Sequence, residues 1–366
     1  MTREFSEMLR FFGASALGYD IKKREDIDIA TIRRLAIEQG IWTIIYEPLS
    51  KVYDLNQYKS EFIFAVTKAI QQREFTLRVI RQLEREGVEC CILKGAAVAR
   101  LYAEPDCRIS SDTDILIALQ NEKKAEDVLK KNGYSFEKRA INDHHLKAYH
   151  PIGGLLEIHV RLYSHSTEQI IFNGLKLYNE PCETINLGEN EYKVLGINDG
   201  LFYLTAHYIK HLINGGGGVR QMMDLLLYIE NYKDRINFDG YFKILRDLKY
   251  ERLIKVIMSI GAEYFGFGYK KVDDELMQEI LDDTEKGGIF GYSADDRQNF
   301  YYAYCAKRTR WSQARYRLFL WFKSETTIIN KLFPSQKKML ERGYKYARYR
   351  LFLPVAWIQR YIDFMI

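Results

Sequence analysis

Apolar residues recur at steps of three and four positions through the N-terminal part of the chain. Two such runs between residues 26 and 86 are Ile29, Ile32, Leu35 and Ala36, and then Phe62, Ala65, Val66 and Ile70. A period near 3.6 residues places such side chains on one face of a helix, so this region predicts amphipathic helices. Gly87 predicts the end of the last of them, because glycine tolerates the left-handed backbone that often follows a final helical turn.

From residue 88 the pattern changes to short apolar runs. The run that ends at Lys94 and Gly95 predicts a buried strand that stops in a tight turn, and residues 96–102 continue at helical spacing. A second apolar strand is predicted over residues 115–119. A helix with Ala125, Val128 and Leu129 on one face follows it and is expected to end at Gly133.

A hairpin is predicted next, with its turn at residues 151–154 and its second strand over residues 154–160. The predicted order of this central part is therefore strand, helix, strand, helix, strand and hairpin. Helical spacing returns after Asn198, with Leu201, Leu204, Ile209 and Leu212 and then Met222, Leu225, Leu226 and Ile229. The sequence thus predicts an α+β fold, in which a small mixed sheet flanked by helices lies between N-terminal helices and a mainly helical C-terminal region.

Four parts are expected along the chain: residues 1–87, 88–195, 196–300 and 301–366. A chain of 366 residues exceeds the size at which a single core stops growing. Four glycines at 215–218 interrupt the third part. They predict either a flexible connector or a loop that approaches phosphate, since Arg220 follows closely, and both interpretations stay open.

The five cysteines argue against two structural classes. Their number is odd and none has Cys-x-x-Cys spacing, which disfavours a disulfide framework and a zinc ribbon. The first 17 residues carry acids and lack the apolar centre of a secretory signal, and no apolar run approaches the length of a membrane span. A cytoplasmic protein is expected.

Residues 301–366 carry fourteen Lys or Arg and three acids, so their net charge is +11 and the rest of the chain is net negative. Aromatic residues are interleaved with this charge, as in residues 315–322. The composition suits three roles. The segment could form the outer face of a helical domain, line a nucleic-acid groove, or make peripheral contact with the anionic inner face of the cell membrane. Of the two functional alternatives, membrane contact is favoured, because runs such as 318–322 are more apolar than a nucleic-acid groove requires.

Two carboxylates, Asp112 and Asp114, stand at the start of the second apolar strand. Residues i and i+2 of a strand project from the same face, so the two charges are expected to lie close together and to repel unless a cation lies between them. Mg²⁺ suits this position, because one or two carboxylates and the phosphates of a substrate commonly hold it.

Glu157 is the third carboxylate of interest, because it stands alone among apolar neighbours on the last predicted strand. If that strand lies beside the Asp112 strand, Glu157 completes a metal-binding and catalytic triad with Asp112 and Asp114, or takes a proton from an attacking hydroxyl. His159 faces the same way as Glu157 and could contact phosphate or support that carboxylate. Clustered histidines elsewhere, including His207 and His211, are by default surface or core residues.

These motifs resemble the nucleotidyltransferase superfamily typified by DNA polymerase β, over residues 88–165. The combination is most similar to a bacterial family labelled uncharacterised nucleotidyltransferase, which the segment 219–226 also resembles. The chain departs from the superfamily pattern at Ala96, where Gly or Ser is typical, and at Thr113, where an apolar residue is frequent. Neither departure removes a metal ligand.

The resemblance implies an enzyme that moves a nucleoside monophosphate from ATP or another nucleoside triphosphate to an acceptor, with Mg²⁺ as cofactor and pyrophosphate as product. The expected nucleotide-binding residues are Lys94, Gly95, Arg108, Ser111 and His159. The two cations in that set either neutralise the triphosphate or pair with the carboxylates of the empty site.

The acceptor is left open by the sequence and could be a polysaccharide, a lipid-linked molecule, a peptide, a protein or RNA. The sequence also leaves open the role of Asp224. An alternative to catalysis is a silent member of the fold that binds or regulates through its basic C-terminal surface.

Overall fold

The computed structural model describes residues 1–110, 112–137, 145–162, 180–214 and 217–288. Backbone contacts divide the chain into two units, Met1–Cys305 and Ala306–Ile366. Only the first unit contains described residues, so the expectations for the basic segment 301–366 fall outside them. The finer division into four parts stays a prediction.

The N-terminal region is helical, as its periodicity predicts. Its helices are α1 (Arg3–Leu17), α2 (Ile29–Glu38), α3 (Trp42–Ser50) and α4 (Lys59–Arg85). The side chains of Thr2 and Asp28 accept backbone N–H bonds at the starts of α1 and α2, which satisfies donors that a helix leaves free. Gly87 adopts a φ of +75° just after α4, which confirms the predicted stop.

The described strands form one mixed sheet of seven, in the order β3-β4-β5-β2-β1-β7-β6. They are β1 (Cys91–Ile92), β2 (Asp112–Leu116), β3 (Ser135–Phe136), β4 (His145–His150), β5 (Gly154–His159), β6 (Glu183–Leu187) and β7 (Asn190–Val194). Helix α5 (Ala96–Ala99) joins β1 to β2, and α6 (Glu122–Lys131) joins β2 to β3. This is the predicted α+β architecture.

Two details differ from the sequence expectation. The helix predicted over residues 96–102 ends at Ala99, and a turn carries Tyr102 away to a buried hydrogen bond with Asp224. The hairpin of β6 and β7 was not predicted. Its turn contains Gly188 with a φ of +62°, and β7 pairs in parallel with β1, extending the sheet beyond β1.

One face of the sheet is covered by α4 and α6. Alternate residues of the central strands, including Ile92, Ile115 and Ile158, are buried against apolar side chains of these helices in one continuous core. Because side chains alternate across a strand, residues 112, 114, 157 and 159 project from the opposite face.

The C-terminal part of the described chain is helical. Its helices are α7 (Ile197–Asn214), α8 (Val219–Tyr232), α9 (Phe238–Asp247), α10 (Glu251–Ile260) and α11 (Asp274–Gly287), with a π-helical turn at Gly261–Phe265. The four-glycine segment lies between α7 and α8. Among the described residues, no helix is both long enough and apolar enough to cross a membrane.

Candidate active site

The three predicted carboxylates lie on two adjacent parallel strands. Asp112 and Asp114 belong to β2, and Glu157 of β5 is the direct register partner of Asp114. Directly paired residues of neighbouring strands share a face of the sheet, so all three carboxylates project away from the apolar core. Hydrophobic alternation on both strands therefore determines where the acids stand.

His159 joins two of these acids in a compact cluster. One ligand atom each of Asp114, Glu157 and His159 lies within 4.8 Å of the others. The Nε2 atom of His159 is 3.0 Å from Asp114 Oδ1 and 3.8 Å from Glu157 Oε2, and His145 Nε2 is 3.8 Å from Glu157 Oε1. His159 thus contacts Asp114 directly and only lies near Glu157, while its support of Glu157 and its contact with phosphate stay predictions.

Lys94 lies between the two aspartates. Its Nζ atom is 3.2 Å from Asp112 Oδ2 and 3.1 Å from Asp114 Oδ2. Burial would lower the pKa of Lys94, but the charges of Asp114 and Asp112 outweigh burial and raise it. The ammonium therefore supplies the positive charge that the two carboxylates require in the described structure.

The carboxylates differ in their pKa. Burial favours the neutral acid at Asp114, but Lys94 and His159 overcome it and lower the pKa of Asp114 to about 2. Burial, and then the charge of Asp114, raises the pKa of Glu157. Asp114 is thus a permanent anion, whereas Glu157 is the more basic carboxylate, as a proton acceptor should be.

These residues fit a divalent cation. Asp114 Oδ2 is buried and accepts no well-formed hydrogen bond from any described residue, although the Lys94 ammonium lies beside it. Carboxylate oxygens from Asp112, Asp114 and Glu157 are the hard ligands that Mg²⁺ prefers. The site therefore contains a buried acidic group that could bind a metal.

The predicted phosphate turn follows β1. Gly95 has φ +67° and ψ −112°, a conformation that side-chain-bearing residues rarely adopt. Among the described residues, a Cβ atom there would meet Asp112 O at 3.6 Å and Ser110 Oγ at 3.9 Å, which are ordinary contact distances. The backbone conformation is therefore what favours glycine at this position. Ser110 Oγ lies 3.2 Å from Asp112 Oδ1, and Ser111 lies outside the described residues.

Arg108 forms a buried ion pair with Asp224 of α8. Its Nη2 and Nε atoms donate to the two carboxylate oxygens at 2.5 and 3.2 Å, and Tyr102 Oη donates to Asp224 Oδ1 at 2.7 Å. Asp224, whose role the sequence left open, thus connects α8 to the segment before β2. Binding of phosphate by Arg108 stays a prediction.

Helix α7 contributes histidines that sequence reasoning did not place at the site. His207 Nε2 is 3.2 Å from Lys94 Nζ and 3.2 Å from His211 Nε2. Burial and the nearby Lys94 charge lower the pKa of His207, and the same causes lower the pKa of His211 to about 4. Both imidazoles are therefore neutral at physiological pH. Their i, i+4 spacing was the sequence signal that they share a helix face.

The chain is similar to a known protein family and to a solved structure. A family model described as "Uncharacterised nucleotidyltransferase" matches residues 25–266. The crystal structure of an antigenic nucleotidyltransferase-like protein from Paracoccidioides brasiliensis aligns with 56% of this chain and 94% of that chain, at 15% sequence identity and a TM-score of 0.30. A search of curated proteins found no match.

Proposed function

The chain belongs to the family described as uncharacterised nucleotidyltransferases, and on this premise we propose that it is a Mg²⁺-dependent enzyme. It would move a nucleoside monophosphate from a nucleoside triphosphate to an acceptor and release pyrophosphate. The observation that carries the proposal is the direct pairing of Asp114 with Glu157, with Asp112 on the same face two residues earlier.

The proposed metal ligands are Asp112, Asp114 and Glu157. When bound there, Mg²⁺ would neutralise charge on these carboxylates and on the phosphates of the nucleotide. His159 holds Asp114 in position through its 3.0 Å contact. The buried oxygen of Asp114 that accepts no well-formed hydrogen bond supports this ligand set.

In the proposed reaction, an acceptor oxygen attacks the α-phosphorus of the nucleotide. A new P–O bond forms while the bond from the α-phosphorus to the oxygen that bridges to the β-phosphate breaks, and its electron pair leaves with pyrophosphate. The proton of a hydroxyl acceptor goes to Glu157, because burial and the charge of Asp114 raise its pKa, whereas the pKa of Asp114 is lowered.

Lys94 and Gly95 would act on the phosphates. The carboxylates keep Lys94 protonated, so its ammonium would balance negative charge on the phosphates. Gly95 presents backbone without a side chain in the turn that leads to α5, which permits close approach of a phosphate. Arg108, Ser111 and His159 complete the proposed nucleotide-binding set.

The acceptor and the place of action belong to the same proposal. A sugar, lipid-linked, peptide, protein or RNA acceptor each offers a hydroxyl or phosphate of the required chemistry. We place the protein in the cytoplasm on the basis of its cysteine pattern. The basic and aromatic composition of residues 301–366 is the reason to propose peripheral contact with an anionic membrane.

Labelled nucleotides test the proposed reaction. The protein is incubated with cell extract, Mg²⁺ and each of the four nucleoside triphosphates, labelled either at the α- or at the γ-phosphorus. We expect one or more α-labels, and no γ-label, to appear on an acceptor. Asp114→Asn should abolish labelling, whereas Asp127→Asn, an exposed acid on α6 across the sheet, should retain it. Transfer of the γ-label, or undiminished transfer by Asp114→Asn, would overturn the proposal.

A further inference from the structure

Lys210 is a cation near the acids that the sequence did not predict. It lies half-buried on α7, one helical turn from His207 and beside His211, on the helix whose imidazoles reach Lys94. Burial, and then repulsion by Lys94, lowers the pKa of Lys210, while attraction by Glu157 and Asp114 opposes this. Among the described residues, the ion pairs of Asp112, Asp114 and Glu157 join Lys94, His145 and His159 rather than Lys210.

Arg220, in the first turn of α8, is a second cation of this kind. Its Nη1 donates to the carbonyl oxygen of Ile109 at 2.9 Å, while its buried Nε has no hydrogen-bond partner among the described residues. Burial, and then repulsion by Arg108, lowers the pKa of Arg220. The acid closest in sequence, Asp224, already uses both oxygens for Arg108. A buried donor without a partner costs free energy, so an acceptor that reaches it gains affinity.

Both cations belong to helices that contact the carboxylate site or the segment just before it, through His207 of α7 and through Arg220 of α8. Ile109, which contacts Arg220, is followed by Ser110, and Ser110 Oγ lies 3.2 Å from Asp112 Oδ1. The charge of Lys210 acts on Asp114 and Glu157. Helices α7 and α8 therefore each carry one such cation, α7 beside the histidine that contacts Lys94 and α8 at the segment that leads to Asp112.

We infer that Lys210 and Arg220 bind the polyphosphate of the nucleotide, together with Lys94. A chain of three phosphates spreads its negative charge over several positions, which matches three separate cations better than a single phosphate does. Arg220 offers an unused N–H in a fixed orientation, and Lys210 offers three rotatable donors. The inference rests on the proposed function. It assigns residues of α7 and α8 to the binding of the nucleotide's phosphates.

Inorganic tripolyphosphate is the probe, because it lacks the base and ribose and so isolates the phosphate contacts. Its dissociation constant is measured by calorimetry, with Mg²⁺ present, for the parent protein, Lys210→Gln and Arg220→Gln. Lys131→Gln is the matched control, since Lys131 is an exposed lysine on α6, across the sheet from the site. Arg220→Lys keeps the positive charge and serves as the conservative variant at this position. The thermal unfolding curve of each variant shows whether it is folded.

We expect Lys210→Gln and Arg220→Gln each to raise the dissociation constant about tenfold or more, as the loss of a charge-assisted hydrogen bond implies. Arg220→Lys should recover part of the affinity, and Lys131→Gln should match the parent. Unchanged affinity in both glutamine variants, or a parent protein that does not bind tripolyphosphate, would overturn the inference. Transfer of α-label by the parent protein would in either case leave the proposed function standing, so the two failures are distinguishable.

Discussion

Asp224→Asn tests how much the buried ion pair between Arg108 and Asp224 contributes to stability. This pair joins α8 to the segment before β2. The side chains of Arg108 and Asp224 are only 5% and 9% exposed, and two hydrogen bonds join them. The substitution keeps the shape but removes the charge, so Arg108 is left as a buried cation next to Arg220. Breaking a buried pair by removing one partner costs about 3–5 kcal/mol of unfolding free energy.

Denaturant unfolding, followed by circular dichroism, measures this loss. Glu38→Gln provides the matched control, because the Arg34–Glu38 pair on α2 is exposed and should contribute only about 0.5 kcal/mol. Arg108→Met combined with Asp224→Leu should recover most of the stability, since apolar groups of similar volume often replace a buried pair without loss. A loss below about 1 kcal/mol in Asp224→Asn would show that the pair does not hold these elements together.

Three further outcomes are expected. Gly95→Ala should weaken nucleotide binding and cost about 1–3 kcal/mol of stability, because its positive φ strains any side-chain-bearing residue; equal affinity in mutant and parent would mean that the turn is only structural. His207→Gln should leave the fold intact but weaken binding of tripolyphosphate, because His207 lies 3.2 Å from the Lys94 ammonium and its loss would free that side chain to move; an unchanged dissociation constant would show that His207 does not affect Lys94. Phe319→Ala with Trp321→Ala should reduce binding to anionic vesicles at about 0.15 M salt, where exposed charges are screened beyond about 8 Å; binding of neither vesicles nor RNA by the parent would rule out both partners.

The sequence predicted the acidic side of the site because strand periodicity is a local signal. Asp112 and Asp114 stand two residues apart, and Glu157 alternates with apolar residues that face the core, so the spacing predicted the face of each strand that carries acids. The pairing of β5 with β2, which brings Glu157 beside Asp114, was only a condition of the prediction and is supplied by the structure. The fold class, predicted from the same local periodicity, is confirmed. Family similarity extends over residues 25–266, beyond the segments 88–165 and 219–226 that carried the resemblance. It thus includes α7 and most of the other helices around the sheet.

The basic side of the site could not be read from spacing. About a hundred residues separate β2 from the three basic residues of α7 and α8, His207, Lys210 and Arg220. Helical periodicity shows which side chains share a face, but it does not show which part of the protein that face contacts. The sequence likewise did not indicate the partner of Arg108, because Asp224 reaches Arg108 through the long-range packing of α8. Helix α5 is shorter than predicted for a similar reason. Tyr102 donates a hydrogen bond to Asp224 instead of continuing the helix, and local spacing does not indicate this long-range contact.

The most direct test of the central claim is the Mg²⁺ dependence of nucleotide binding at Asp112 and Asp114. Equilibrium affinity for the nucleoside triphosphate is measured with Mg²⁺ and with a chelator, for the parent, Asp112→Asn, Asp114→Asn and the control Asp127→Asn. We predict that Mg²⁺ strengthens binding by at least about tenfold, or about 1.4 kcal/mol, in the parent and the control, and that it has no effect in the two site variants. Equal affinity with and without Mg²⁺ in the parent protein would contradict the account and favour a catalytically silent binding protein.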